Sequence, residues 1–227
     1  MDLSPPIRFE LRRGAVTAVP LAIAVGLFGV SFGVLAVSTG GMGALPAIVM
    51  SATTFAGSAQ FAAASIVAGG GQPIAAIAAG LLLNARYLPI GISVARFLFG
   101  GRLQRFGQAQ LVVDESWAIA SRGGGSFDAH RLVGAGIVLW LAWVAGTIIG
   151  VIGVIGGAGL GDPAALGLDA AFPALFLALL IPQLIGRRAV AAAVLGAGIA
   201  IALVPITPAG MPIIAAAGAA LIGLWRR

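Results

Sequence analysis

Of the chain's 227 residues, 60% are hydrophobic and 9% charged, with a mean hydropathy of +1.09; soluble domains carry about a quarter of their residues charged, so a soluble fold is excluded and an integral membrane protein is expected. The net charge of +6 is all arginine, scattered in ones, twos and threes between apolar runs without interleaved aromatics, which points to membrane topology and away from a nucleic-acid surface. With no cysteine and the single His130, disulfides, thiolate metal sites and cysteine nucleophiles are excluded, and no cofactor or metal is expected.

Residues 1–13, with Arg8, Arg12 and Arg13, form an N-terminus expected on the cytoplasmic side. The apolar run Gly14–Val37 that follows has the order of a signal peptide but is too long for a typical h-region, and further spans come after it. It is expected to be a retained first helix. Further apolar runs cover Gly43–Ala68, Pro73–Phe97, Leu132–Gly156, Ala170–Gly186, Ala189–Val204 and Gly210–Leu224, each near the roughly 17–25 residues of a helical span.

If all of these crossed, Arg96, Arg102 and Arg105 would lie outside, against the positive-inside rule. The second run is the exception to look for, because Ala56-Gly57-Ser58-Ala59-Gln60-Phe61 puts a glycine and two polar side chains at its centre. Each half, about a dozen residues, is about 18 Å long, enough to reach the midplane and return. A re-entrant second segment makes Arg96, Arg102, Arg105, Arg122, Arg131, Arg187, Arg188, Arg226 and Arg227 cytoplasmic and leaves Asp162 and Asp169 outside. A full crossing by this segment meets the same rule if Phe106–Ser121 dips into the bilayer. The expected fold is all-α: a polytopic helical bundle with a broken, re-entrant second segment. Residues 14–100 form an N-terminal membrane half, 101–131 a polar linker, and 132–227 a C-terminal membrane half whose apolar segments contain no ionisable residue.

Three clusters carry chemistry. Ser51, Thr53, Thr54, Gly57, Ser58 and Gln60 lie in the broken segment, where an interrupted helix exposes N–H groups suited to a carboxylate and carbonyls suited to a cation; the bland reading has the hydroxyls bonding back to their own helix and Gly57 serving packing. In Leu83-Asn84-Ala85-Arg86-Tyr87-Leu88-Pro89, Asn84 and Arg86 point about 200° apart on a regular helix, but Pro89 has no N–H for the Ala85 carbonyl and loosens that turn. Gly80, Asn84, Tyr87 and Gly91 form a small and polar stripe on that helix. Arg86 lies near the middle of an otherwise uncharged stretch from Pro73 to Ala95, and a cation at mid-bilayer costs roughly 2.5–3.5 kcal/mol. It is either a bidentate clamp for a carboxylate or the partner of an internal acid. The third cluster is Asp114-Glu115-Ser116-Trp117, whose acids either couple protons, neutralise Arg86, or balance loop arginines.

Other signals read as architecture. Gly29-x-x-x-Gly33 and Gly146-x-x-x-Gly150 match helix-packing motifs, Pro20, Pro173 and Pro182 mark kinks, Gln183 is a cavity or interface residue, and Trp140, Trp143 and Trp225 are belt or packing aromatics. His130 is read as an ordinary residue at a loop-to-helix junction.

Phe55-Ala56-Gly57-Ser58-Ala59-Gln60-Phe61, Leu83-Asn84-Ala85-Arg86-Tyr87 and Asp114-Glu115-Ser116-Trp117-Ala118, in this order, resemble the AzlC family of branched-chain amino-acid exporters. The specific likeness runs from Gly14 to Ala120; beyond it the chain resembles the family mainly in hydropathy. The resemblance implies a multi-pass permease of the bacterial inner membrane that exports valine, leucine and isoleucine, with methionine as a further candidate, using the proton gradient. It also implies a small hydrophobic partner of the AzlD type. On this reading Gly57, Ser58, Gln60, Asn84 and Arg86 bind substrate, while Asp114 or Glu115 couples protons or balances charge. The alternatives are a passive small-solute channel or facilitator and a scaffold subunit of a membrane complex. An enzyme is not expected, since a cysteine, a second His and a metal-ligand cluster are all missing from the sequence.

Overall fold

A computed structural model describes residues 7–39, 41–123, 125–157, 177, 180–181, 184, 186–208 and 211–219. Most of the run Ala170–Gly186 and the end of the run Gly210–Leu224 lie outside them, as do Asp162, Asp169, Pro173, Pro182, Gln183, Trp225, Arg226 and Arg227. Among the described residues, two helices are long and apolar enough to cross a membrane, or three if one bent pair counts as a single span. The protein is an all-α membrane protein.

Helix α1 (Ile7–Ser38) has 32 residues and is about 48 Å long. It starts about two turns ahead of the first apolar run because Glu10, which is buried, has partners: Arg131 Nε donates to it and Arg122 lies within ion-pair distance. Pro20 sits inside α1 without ending it. Helix α8 (Ala129–Ile155) lies along α1 in a seam of small residues. A Cβ at Gly29 or Gly33 would collide with the carbonyls of Trp143 or Thr147, and one at Gly146 or Gly150 with those of Gly26 or Val30. Only glycine lets the two backbones come this close.

The register of that seam fixes topology. Leu11 meets Gly134, Gly26 meets Ala142 and Gly146, and Val30 meets Gly150. The numbers rise together, so α1 and α8 are parallel, and the chain between them makes a net single return across the bundle.

Helix α2 (Ala44–Thr54) starts beside the end of α1, where Met42 N–H bonds the Ala36 carbonyl, and descends until Ser51 meets Thr147 and Ala52 meets Trp140, midway along α8. The chain breaks at Phe55-Ala56. Helix α3 (Gly57–Ala68) then climbs back, with Gly57 against Trp143 and Phe61 against Phe32. Segment two is thus broken and turns back, as its central glycine and polar residues led one to expect.

After a glycine turn, α4 (Pro73–Asn84) descends antiparallel to α3, and α5 (Tyr87–Ala95) continues it at a bend of 48°. The bend lies where Pro89 was expected to loosen the helix: the Ala85 carbonyl accepts from Leu88 N–H instead of from the residue four ahead. This bent pair makes the return, ending with Phe97 on Phe127 and Arg96 on the Gly125 carbonyl beside the start of α8.

The stretch read as a polar linker is folded into the bundle. Helix α6 (Arg102–Gln110) rises from the near end, α7 (Asp114–Ala120) goes back down, and a hairpin of β1 (Ser121–Gly123) and β2 (Ser126–Phe127) leads into α8. Gln108 fixes the entry by bonding both the amide and the carbonyl of Phe99, and Leu111 at the tip packs on Gly136. It is a second half-depth hairpin, inverted relative to α2–α3, and Gln110 Nε2 donates to the Thr53 carbonyl at 2.7 Å where the two tips meet. Helices α9 (Arg187–Leu203) and α10 (Met211–Ala217) pack on each other, and α10 touches α4.

Asp128 caps α8. Its Oδ1 accepts the N–H groups of His130 at 3.0 Å and Arg131 at 3.1 Å, and Oδ2 takes the Arg122 guanidinium. Burial works to raise this carboxyl's pKa, but the Arg131 N–H and Arg122 outweigh it and hold it below its ordinary value. The unfolded chain therefore binds this proton more readily, so the stabilisation is complete above the ordinary carboxylate range and is lost as pH falls through the depressed native value. Asp128→Ala should cost about 1 kcal/mol at neutral pH. Thermal melts in detergent should show the gap between variant and wild type closing below about pH 4. His130 sits at the same junction, stacked on Phe99.

Candidate functional site

Where the interrupted helices meet, a cavity of about 90 Å³ opens between α1, α8, the α2–α3 break, the α4–α5 break and the tip of α6–α7. That is room for several waters or part of a small solute. Val25, Phe28, Phe55, Val113, Leu139 and Trp143 form its apolar wall. Gly57, Ser58, Arg86, Tyr87, Asp114 and Glu115 form its polar side.

Local backbone strain helps to build it. Phe55 ends α2 in the left-handed region, with φ of 43°, a conformation costing a side-chain-bearing residue roughly 1–2 kcal/mol. No other described non-glycine residue has a positive φ. The sharp turn lets α3 begin inside the cavity, so the N–H groups of Gly57 and Ser58 precede the helix's own bonding ladder and bring its partial positive charge to this wall.

Arg86 lies in the α4–α5 break. Its Nη2 reaches Asp114 Oδ2 at 3.2 Å, Ser58 Oγ at 3.3 Å and the Tyr87 hydroxyl at 3.2 Å, and the guanidinium lies 5.0 Å from the Tyr87 ring centre. Nε is buried and has no hydrogen-bond partner. The reading of this arginine as the partner of an internal acid is met by Asp114. Glu115 lines the same cavity without an ion-pair partner within 4 Å among the described residues.

Two of the expected site residues sit elsewhere. Gln60 is fully buried behind the cavity, where Nε2 donates to Ser51 Oγ at 3.0 Å and Oε1 accepts from the Ala56 N–H and Trp143 Nε1. Ser51 donates onward to Thr147, whose hydroxyl bonds the Trp143 carbonyl. Every member is satisfied, so this chain of bonds pins the break to α8 instead of offering a free group. Asn84 turns away from Arg86 into a separate groove with Met42, Met50 and Thr54, its Oδ1 unpartnered. The loosened turn does not bring the two onto one face.

Trp143, which the sequence reading left as belt or packing, is part of the cavity wall. It is buried, stacked near Phe32, and its ring lies against Gly57. An indole inside an apolar helix carries no sequence mark of this role. Glu10 was also missed, since a lone acid among terminal arginines looks like solvent-exposed charge.

Interrupted apolar helices around a charged internal cavity define the class: a polytopic membrane protein with a polar site inside its bundle. Residues 20–155 match the family model described as AzlC protein, more than half of the chain, and the chain belongs to that family. The match ends with α8 and contains every residue lining the cavity. The chain is 31% identical to an uncharacterized membrane protein of Archaeoglobus fulgidus over 232 residues, 93% of this chain and 94% of that protein. It is 28% identical over 190 residues, 81% of this chain and 72% of the relative, to the branched-chain amino acid transport protein AzlC of Bacillus subtilis strain 168. No solved structure matches.

Proposed function

We propose that this protein is a secondary transporter that exports branched-chain and other small apolar amino acids across the bacterial cytoplasmic membrane, moving substrate without transforming it. The observation that carries the reading is the cavity's two-sided lining: a buried guanidinium donor beside a helix N-terminus on one side and an aliphatic and aromatic wall on the other. The first suits a carboxylate, the second a branched side chain. The name of the Bacillus subtilis relative supports the same substrate class. Arg96, Arg105, Arg122 and Arg131 share one end of the bundle with the N-terminus of α1, and the positive-inside rule makes that end cytoplasmic. The motif resemblance supports proton coupling and a small AzlD-type subunit.

The test is reconstitution into proteoliposomes, alone and with the small subunit. An imposed pH gradient is expected to drive leucine accumulation and to reverse it when inverted. Leucine flux that only equilibrates would mark a facilitator, and absence of saturable flux in both preparations would overturn the transport reading.

A further inference from the structure

The proposed site has a place for a carboxylate, but a zwitterion also brings an ammonium group, which calls for an anion that no cation of the protein already holds. Asp114 Oδ2 is held by Arg86, and Ser58 Oγ and the Tyr87 hydroxyl both accept from the same guanidinium. Glu115 lines the cavity with no cation of its own. The charged and titratable groups facing it are Arg86 and Tyr87 from the α4–α5 break and Asp114 from its own helix; α1, α8 and the α2–α3 break present only apolar or uncharged groups. With Arg86 and Asp114 neutralising each other, Glu115 leaves one negative charge over in a poorly hydrated space, where an unpaired charge is costly.

We propose that Glu115 is the seat of the substrate's ammonium group, and that a proton taken up on the same carboxylate displaces that ammonium. This rests on the amino-acid transport reading above and adds what it lacks: the second recognition point and the place where proton and substrate compete. The substrate's carboxylate lies toward Arg86 Nε and the Gly57 and Ser58 N–H groups, its ammonium toward Glu115. One carboxylate cannot be protonated and ion-paired with an ammonium at once, so occupancy alternates. Protonation from the aqueous side releases the amino acid, and loss of that proton readies the cavity for the next one.

The experiment uses the full chain in lipid nanodiscs and compares binding of leucine with that of isocaproate, which has leucine's side chain and carboxylate but no amino group. Wild-type protein is expected to bind leucine less well as pH is lowered. Glu115→Gln should weaken leucine ~10-fold or more, the worth of a charge-assisted hydrogen bond. It should also remove the pH dependence and leave isocaproate binding unchanged or tighter, which shows that the variant is folded. Glu115→Asp should retain the pH dependence. Wild-type leucine affinity in Glu115→Gln, or equal loss of both ligands, would overturn the assignment while leaving amino-acid transport standing. Failure of wild-type protein to bind either ligand would overturn both.

Discussion

Arg86→Ala is expected to lower leucine transport by roughly 10- to 100-fold or more while the protein still reaches the membrane. The guanidinium holds Asp114, Ser58 and Tyr87 together through Nη2, and on the proposed reading it faces the substrate's carboxylate. Its loss removes the carboxylate's partner and leaves two uncompensated acids, Asp114 and Glu115, in one cavity. Such a cavity repels the carboxylate it is meant to receive. Arg86→Lys should be nearly as damaging, because an ammonium on a flexible stem cannot hold three partners and a ligand in the plane of a fork. The measurement is labelled-leucine flux in proteoliposomes, with protein in the membrane fraction as the insertion control. Near-normal flux in Arg86→Ala would take the residue out of the site.

The second large effect concerns assembly. Gly146→Val places side-chain atoms where the Gly26 carbonyl already lies, and Gly150→Val does the same against Val30. The obstacle is backbone, so no rotamer can move aside and α1 must separate from α8 along the seam that positions Trp143 and Leu139. Overpacking of a tight core costs about 1–3 kcal/mol, with more expected against backbone; in a chain of this size that is a fall of roughly 10 °C in melting temperature. Gly91→Ala is the control, since its Cβ would meet nothing within 4 Å. Differential melting of detergent-solubilised protein, with membrane yield, measures both. Equal melting temperatures for Gly146→Val and wild type would show that the seam is not needed.

What could be read from the sequence divides by physical origin. Long apolar helices declare themselves by composition, so α1 and α8 were legible, and so was the break in segment two, where glycine and polar side chains interrupt an apolar run. The loosened turn before Pro89 follows from a missing N–H and was equally local. The α6–α7 hairpin was legible only as an alternative, the dip of Phe106–Ser121 that would accompany a full crossing by segment two. Arg102-Leu103-Gln104-Arg105-Phe106 looks like a surface loop, and its place depends on long-range bonds from Gln108 to Phe99 and from Gln110 to Thr53. For the same reason composition shows that Arg86 needs an anion but does not show that Asp114 supplies it while Glu115 stays unpaired. The directions of Gln60 and Asn84, one into a closed network and the other into a different groove, are set by packing and leave no trace in spacing.

The opposed tips at Thr53 and Gln110 give the chamber two stoppers anchored at opposite faces, like the gates of a canal lock. A transport cycle of the kind proposed would need only one of these stoppers to draw back at a time. Neither motion asks the α1–α8 pillar to slide.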